Sequence, residues 1–217
     1  MMNTRSADIL ADLMVRRPEL KACERDILAA CTVLRDCFAA GGKLFTCGNG
    51  GSAADAEHIV GELMKGFRLP RPLAENKVMA LAGILGGQAL DFAKGLQAAL
   101  PAISLNGHPS LATAFANDLS ADMVFAQLLC GWGKPGDSLL AISTSGNAQN
   151  VFNASIAAKA FGITVIGLTG REGGKLGELS DTCIRAPADE TFLVQELHLP
   201  IYHALCAMLE NEFFGHD

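Results

Sequence analysis

Two short stretches of this sequence have the composition of anion-binding loops. Gly48-Asn49-Gly50-Gly51-Ser52 follows a short apolar run and directly precedes a helical pattern. Glycines let successive backbone N–H groups converge on one ligand, and the helix N-terminus behind them adds a partial positive charge. No Lys-Ser/Thr follows, as a Walker loop requires, and the spacing is not the G-x-G-x-x-G of a dinucleotide site. The second stretch, Ser143-Thr144-Ser145-Gly146-Asn147, offers three hydroxyls before another helical run. Hydroxyls together with backbone donors suit a phosphate monoester held without a lysine. Helix capping competes with that reading, since Ser, Thr and Asn are favoured at helix starts whatever binds there. One hydroxyl suffices for a cap, so three in a row favour a ligand.

Titratable residues accompany both loops. His58 and Glu62, four apart behind the first loop, share one helix face and reach a common ion or substrate. Gln195, Glu196, His198 and His203 fall in the last helical run. On an ideal helix Glu196 and His203 lie nearly in line, while Gln195 is offset by roughly 80°. A kink at Pro200 would change that phase. A single histidine in such a helix is ordinarily structural. Two groups, one directly behind an anion loop, favour a shared ion or substrate.

These residues need elements to hold them. Apolar residues at three- and four-residue spacing from Ile9 to Phe38 predict helix through the first forty residues. Pro18 is expected to start a second helix there and Gly41-Gly42 to stop it. Lys43 to Cys47 reads as a buried strand and about Ala53 to Lys65 as the helix after it. The pattern recurs with a strand at Ser138 to Ile142 and a helix at roughly Ala148 to Phe161. Further strands are expected at Ile163 to Leu168, Cys183 to Ala186 and Ala102 to Leu105. The stretch Pro70 to Leu100 reads as one or two short helices, and Thr191 to Phe214 as a long closing helix. Strands alternating with helices mean an α/β fold with a central parallel sheet covered on both faces.

The 217 residues are 50% hydrophobic, 18% charged and 6% aromatic, with 23 glycines. That composition excludes a disordered chain and builds a core from Ala, Leu, Val and Ile. The net charge of −6 excludes the basic face of a dedicated nucleic-acid binder, so an anionic ligand needs a local site. No uninterrupted apolar run reaches the roughly 18 residues of a membrane span, and the N-terminus lacks a secretory apolar region. A cytoplasmic protein acting away from membranes is expected. Seven cysteines without a CxxC pair read as reduced core residues. With no low-complexity linker, residues 1–217 read as one domain, with a helical arm over about 1–40.

Taken together, CGNGGSAADAEHIVGEL, LLAISTSGN, GLTGREGGKL and VQELHLPIYHAL resemble the bacterial phosphoheptose isomerases of the sugar isomerase (SIS) domain superfamily. The four segments match in order, and the resemblance runs from the N-terminal helices to about Glu212. It implies a flavodoxin-like αβα sandwich that assembles as a homotetramer with active sites at subunit interfaces. It implies a ketose–aldose isomerase that converts sedoheptulose 7-phosphate to D-glycero-D-manno-heptose 7-phosphate. Carried over residue by residue, Asn49, Gly50 and Gly51 line the sugar site. Ser143, Thr144 and Ser145, helped by Ser52, hold the phosphate, and Asn117 and Asp118 lie near the substrate. His58, Glu62, Gln195 and His203 match a zinc site, with Glu62 and His203 also the acid–base pair and Gln195 also beside the substrate. The resemblance thus takes Gln195 where the helical phase favoured Glu196.

Two departures bear on the substrate. Ala148 stands where the family usually has a phosphate-binding Ser. The segment from Pro70 to Leu100 is expected to make the chain about two dozen residues longer than typical members, as a lid or altered interface. An isomerase of another phosphosugar therefore competes. So does a non-catalytic adaptor of the same superfamily that associates with the replication initiator, although that adaptor holds other residues at the positions of Glu62 and His203.

Overall fold

The computed structural model describes residues 4–215. Helix α1 (Thr4–Arg16) leads into α2 (Glu24–Ala39). Pro18 opens a 3-10 helix over Pro18–Cys23, not the α-helix itself. Helix α2 stops where Gly41 takes a left-handed φ of 81°, a conformation that costs other residues about 1–2 kcal/mol. Then follow β1 (Leu44–Cys47), α3 (Gly51–Met64), α4 (Glu75–Leu85), α5 (Ala89–Lys94), β2 (Ala102–Ser104), α6 (Pro109–Asp118), α7 (Val124–Trp132), β3 (Ser138–Ile142), α8 (Gln149–Ala160), β4 (Thr164–Thr169), α9 (Gly174–Leu179), β5 (Thr182–Arg185) and α10 (Thr191–Phe214).

The strands form one parallel sheet in the order β2-β1-β3-β4-β5. Leu44 to Cys47 pair with Ser138 to Ala141, and Ser138 to Ile142 pair with Thr164 to Leu168. Every residue of β1 and β3 is buried, as expected for a sheet covered on both faces. Alternate residues separate into two layers. Leu44, Leu140, Ile142, Ile166 and Leu168 pack with the apolar faces of α1, α2, α3 and α10. Phe45, Cys47, Leu139, Ala141 and Val165 pack with α7, α8 and Leu176 of α9. This αβα sandwich confirms the expected fold class. The order reverses after β1: the chain moves outward to β2, then crosses to β3 on the other side. The crevice between the C-terminal ends of β1 and β3 is therefore the topological switch point, where ligands bind in open α/β sheets. Both glycine and hydroxyl loops open there.

Two features of the helices were less legible. Within Pro70 to Leu100, α4 buries no residue and α5 buries only Ala89, so Met79, Ile84, Leu90 and Phe92 stay exposed. Helix α10 is long and apolar enough, by length and composition, to cross a membrane, yet 61% of its most apolar window is buried against the protein. It runs unbroken through Pro200. Proline cannot bond the carbonyl four residues back, and that carbonyl, on Glu196, accepts instead from Arg17 Nη2 at 3.3 Å. Five cysteines are buried, Cys183 is half-buried and Cys130 is exposed. Burial pushes the Cys23, Cys31 and Cys47 thiols up to about 12, so these three are inert packing residues.

Candidate active site

The two loops are joined at the crevice. Asn49, in the first, exchanges reciprocal amide hydrogen bonds of 2.8 and 2.9 Å with Asn150, in the first turn of α8. Asn106 pins the base of the first loop, accepting from Gly48 N at 3.3 Å and donating to its carbonyl at 2.8 Å. The second loop is locked from the other side. Gly146, at a φ of 67°, has its carbonyl bonded by Leu176 N at 3.0 Å, and a side chain there would collide with the Gly173 backbone.

Helix capping does not account for the loop hydroxyls. The N-cap of α3 is Gly50 and that of α8 is Ala148, and neither start has a side-chain cap. Ser145 Oγ accepts from Asn147 N at 3.2 Å. Ser52 and Ser143 are buried and Thr144 is half-buried, and their hydroxyls hold no bond that would keep them from a ligand. Two uncapped helix N-termini beside such hydroxyls offer donors and partial positive charge to a phosphate.

The titratable residues meet between α3 and α10. His58 Nε2 lies 3.2 Å from Glu62 Oε1, and Lys65 Nζ lies 3.2 Å from Glu62 Oε2. The His203 ring stands edge-on to the His58 ring, 5.0 Å between centroids. Phe67 lies 5.6 Å from His203 on another side. Burial lowers the His203 pKa, with repulsion from His58 adding to the effect and Glu62 opposing it. His203 is therefore held towards its neutral form, which can accept or pass a proton. Gln195 sits one end of the site away, its amide against Gly51: a Cβ at Gly51 would meet Gln195 Nε2 at 2.5 Å.

Several residues fall elsewhere. Glu196 is exposed on the rim of a groove of about 840 Å³ between α1 and α10, which also reaches His203. His198 is fully buried, with Nε2 3.2 Å from the Thr169 carbonyl, and is structural. Asn117 and Asp118 lie exposed at the end of α6, where Asn117 donates to Asp118 at 2.9 Å. No hydrogen bond ties them to the other candidates. The sequence reading missed Asn150, Asp55 and Tyr202. Asp55, His58 and Glu62 follow a three-and-four spacing along α3, which was a visible signal; Tyr202 had none beyond its place beside His203.

The donors have the right chemistry for a zinc ion: two imidazoles, a carboxylate and an amide oxygen. His203 Nε2 is buried without a hydrogen-bond partner, so one ligating atom has no other use in the structure. Among the described residues no three His, Cys, Asp or Glu side chains already converge to metal distance.

The SIS domain family matches the chain over residues 17–100 and 87–170. Phosphoheptose isomerase of Rhodospirillum rubrum is 38% identical over 201 residues, 93% of this chain and 92% of that protein. That of Akkermansia muciniphila is 35% identical over 190 residues, 88% and 87% of the two chains. Among solved structures, phosphoheptose isomerase GmhA of Neisseria gonorrhoeae superposes with a TM-score of 0.71 at 31% identity, covering 95% of this chain and 97% of that one. The coverage is nearly equal on both sides, so these relatives are close to this chain in length. The expected surplus of two dozen residues does not hold against them.

Proposed function

The chain belongs to the phosphoheptose isomerase family of SIS domains, and on that footing we propose that it converts sedoheptulose 7-phosphate to D-glycero-D-manno-heptose 7-phosphate. The observation that carries this reading is the placement of Glu62, His58 and His203 together between α3 and α10, in a chain whose switch-point crevice holds two uncapped anion loops.

The chemistry follows from the groups. Ser52, Ser143, Thr144 and Ser145, with the N-termini of α3 and α8, take the phosphate. Asn49, Gly50 and Gly51 lie along the sugar, and Asn117 and Asp118 are the further polar pair assigned to it. Isomerisation moves a proton between C1 and C2 through an enediolate. Glu62 removes and returns the carbon-bound proton, and neutral His203 serves the oxygen proton. His58, Glu62, Gln195 and His203 would hold zinc, which supplies Lewis-acid polarisation of the substrate carbonyl when bound. Lys65 Nζ, 3.2 Å from Glu62 Oε2, holds the carboxylate in place.

The proposal includes a cytoplasmic homotetramer with sites completed at subunit interfaces. Its support is the open groove beside His203 and the exposed Phe192, Leu193 and Leu199 on α10. A second reading, isomerisation of a different phosphorylated ketose, has one specific observation behind it: Ala148 leaves the N-cap position of α8 without a hydroxyl.

Purified protein incubated with sedoheptulose 7-phosphate should form the aldose. Glu62→Gln should slow this by about 10²–10⁴-fold, the range for loss of a general base. An unimpaired Glu62→Gln enzyme would remove Glu62 from the mechanism. No aldose from wild type, with turnover of another sugar phosphate, would favour the second reading.

A further inference from the structure

We propose that Tyr202, backed by Asp55, is a positioning residue that sets the tautomer of His58, so that the ring nitrogen facing Glu62 carries a lone pair. This rests on the reading of His58, Glu62 and His203 as the reacting site.

Asp55 lies one turn before His58 on α3, and its Oδ1 accepts the Tyr202 hydroxyl proton at 3.1 Å. Tyrosine has a single O–H to give. Towards His58 Nδ1, 3.0 Å away, the same oxygen can only accept, so the ring proton sits on Nδ1. A neutral imidazole carries one N–H. Nε2 is then an acceptor, and it faces Glu62 Oε1, another acceptor, at 3.2 Å. Two lone pairs at that distance repel unless a cation lies between them or beside them. The Nε2 of His203 is buried without a hydrogen-bond partner, and its ring stands 5.0 Å from the His58 ring, centroid to centroid.

The reverse order of donors is less favourable. If Tyr202 gave its proton to His58, an ionised Asp55 would face the phenol lone pairs at 3.1 Å. Asp55 Oδ2 is already buried without a partner, and a second unsatisfied carboxylate oxygen costs more than a neutral group would. Tyr202 itself is 1% exposed, wedged edge-on to both His58 and His203. It does not touch substrate; it acts through His58. Carboxylate or hydroxyl partners of this kind orient metal-binding histidines generally.

The test is the ring ¹⁵N spectrum of the full-length protein with labelled histidine, zinc-free and zinc-loaded, at about pH 8, where a histidine of ordinary pKa is neutral. Zinc affinity is read in parallel by chelator competition. In zinc-free wild type His58 should show Nδ1–H and a bare Nε2. In Tyr202→Phe the proton should move to Nε2, paired with Glu62, and zinc affinity should fall by about 10-fold or more. Asp55→Asn, whose amide can donate to the phenol and reverse the chain, should move the proton the same way, and it stands in if Tyr202→Phe does not fold. A wild-type His58 protonated on Nε2, or the same tautomer in every folded variant, overturns the proposal. Wild type that binds no zinc would defeat the metal assignment under the proposed function while leaving the tautomer result to decide this one.

Discussion

Gln195 and Glu196 are neighbours in sequence, yet only Gln195 meets the first anion loop. An ideal helical wheel placed Glu196 in line with His203, and the structure instead sets the Gln195 amide against Gly51 and leaves Glu196 exposed on a groove rim. The reason is tertiary. The face of α10 that meets the first loop is decided by how α10 packs on the sheet, which no wheel contains. Gly51 needs no left-handed backbone; it is small because Gln195 occupies the space of a side chain. Gly51→Ala should therefore displace Gln195 and, with Gln195 in the proposed zinc site, lower kcat by about 10–100-fold. A melting temperature near wild type would show that the fold is intact, and unchanged kcat would separate Gln195 from the reaction. His198 illustrates the opposite outcome. Burial lowers its pKa from 6.5 to about 4. Below pH 6.5 the unfolded chain takes up a proton that the folded one refuses, so stability falls as pH drops and the loss is complete near pH 4. Between pH 7 and 5 this one residue should cost about 2 kcal/mol. Urea unfolding of His198→Gln should show a correspondingly flatter acid limb; an identical slope would place the acid sensitivity elsewhere.

At the scale of elements, the end of α3 is held by a buried clasp that its sequence does not announce. Glu210 on α10 accepts the backbone N–H groups of Phe67, Arg68 and Leu69 at 2.7 to 3.0 Å, and Arg71 Nε at 2.8 Å. Arg71 in turn donates to the carbonyls of Leu63 and Glu62 at 2.6 and 3.2 Å, satisfying the open end of α3. Both side chains are almost wholly buried. The clasp fixes the chain just beyond Glu62 and places Phe67 against His203. Breaking a buried pair from one side leaves an uncompensated charge, so Arg71→Met should cost about 3–5 kcal/mol. Arg71→Met with Glu210→Gln should cost less than the two single changes added, measured by denaturant unfolding as a double-mutant cycle. Additive losses would mean the two groups act separately. The strands and loops, by contrast, were plain in sequence. Ser138 to Ile142 and Thr191 to Phe214 begin and end where the sequence pattern set them, because a strand buried on both faces and a long, largely buried apolar helix carry strong local signals. Pro200 was expected to kink α10; the helix continues past it, and the carbonyl it frees, on Glu196, accepts from Arg17, distant in sequence.

For the whole molecule, the site is open on the side where α1, α10 and the Phe67–Arg68 segment form the groove beside His203. Exposed Phe192, Leu193 and Leu199 on α10 suit a neighbour of this same chain. Light scattering should give about four times the 22.7 kDa chain mass, and charge substitutions at Leu193 and Leu199 should dissociate the assembly and reduce activity together. A fully active single chain would defeat the interfacial site. The sequence by itself determined the layer architecture, the glycine and hydroxyl loops and the pairing of His58 with Glu62 on one helix face, since each depends on local spacing, glycine geometry or helical periodicity. Only the tertiary structure decided which face of α10 meets the first loop, that the loop hydroxyls are spared from capping, that Asn150 bonds Asn49, and that Tyr202 joins Asp55 to His58. Those outcomes depend on side chains brought together from distant positions, and packing across the sheet's two layers, not spacing along the chain, sets those distances.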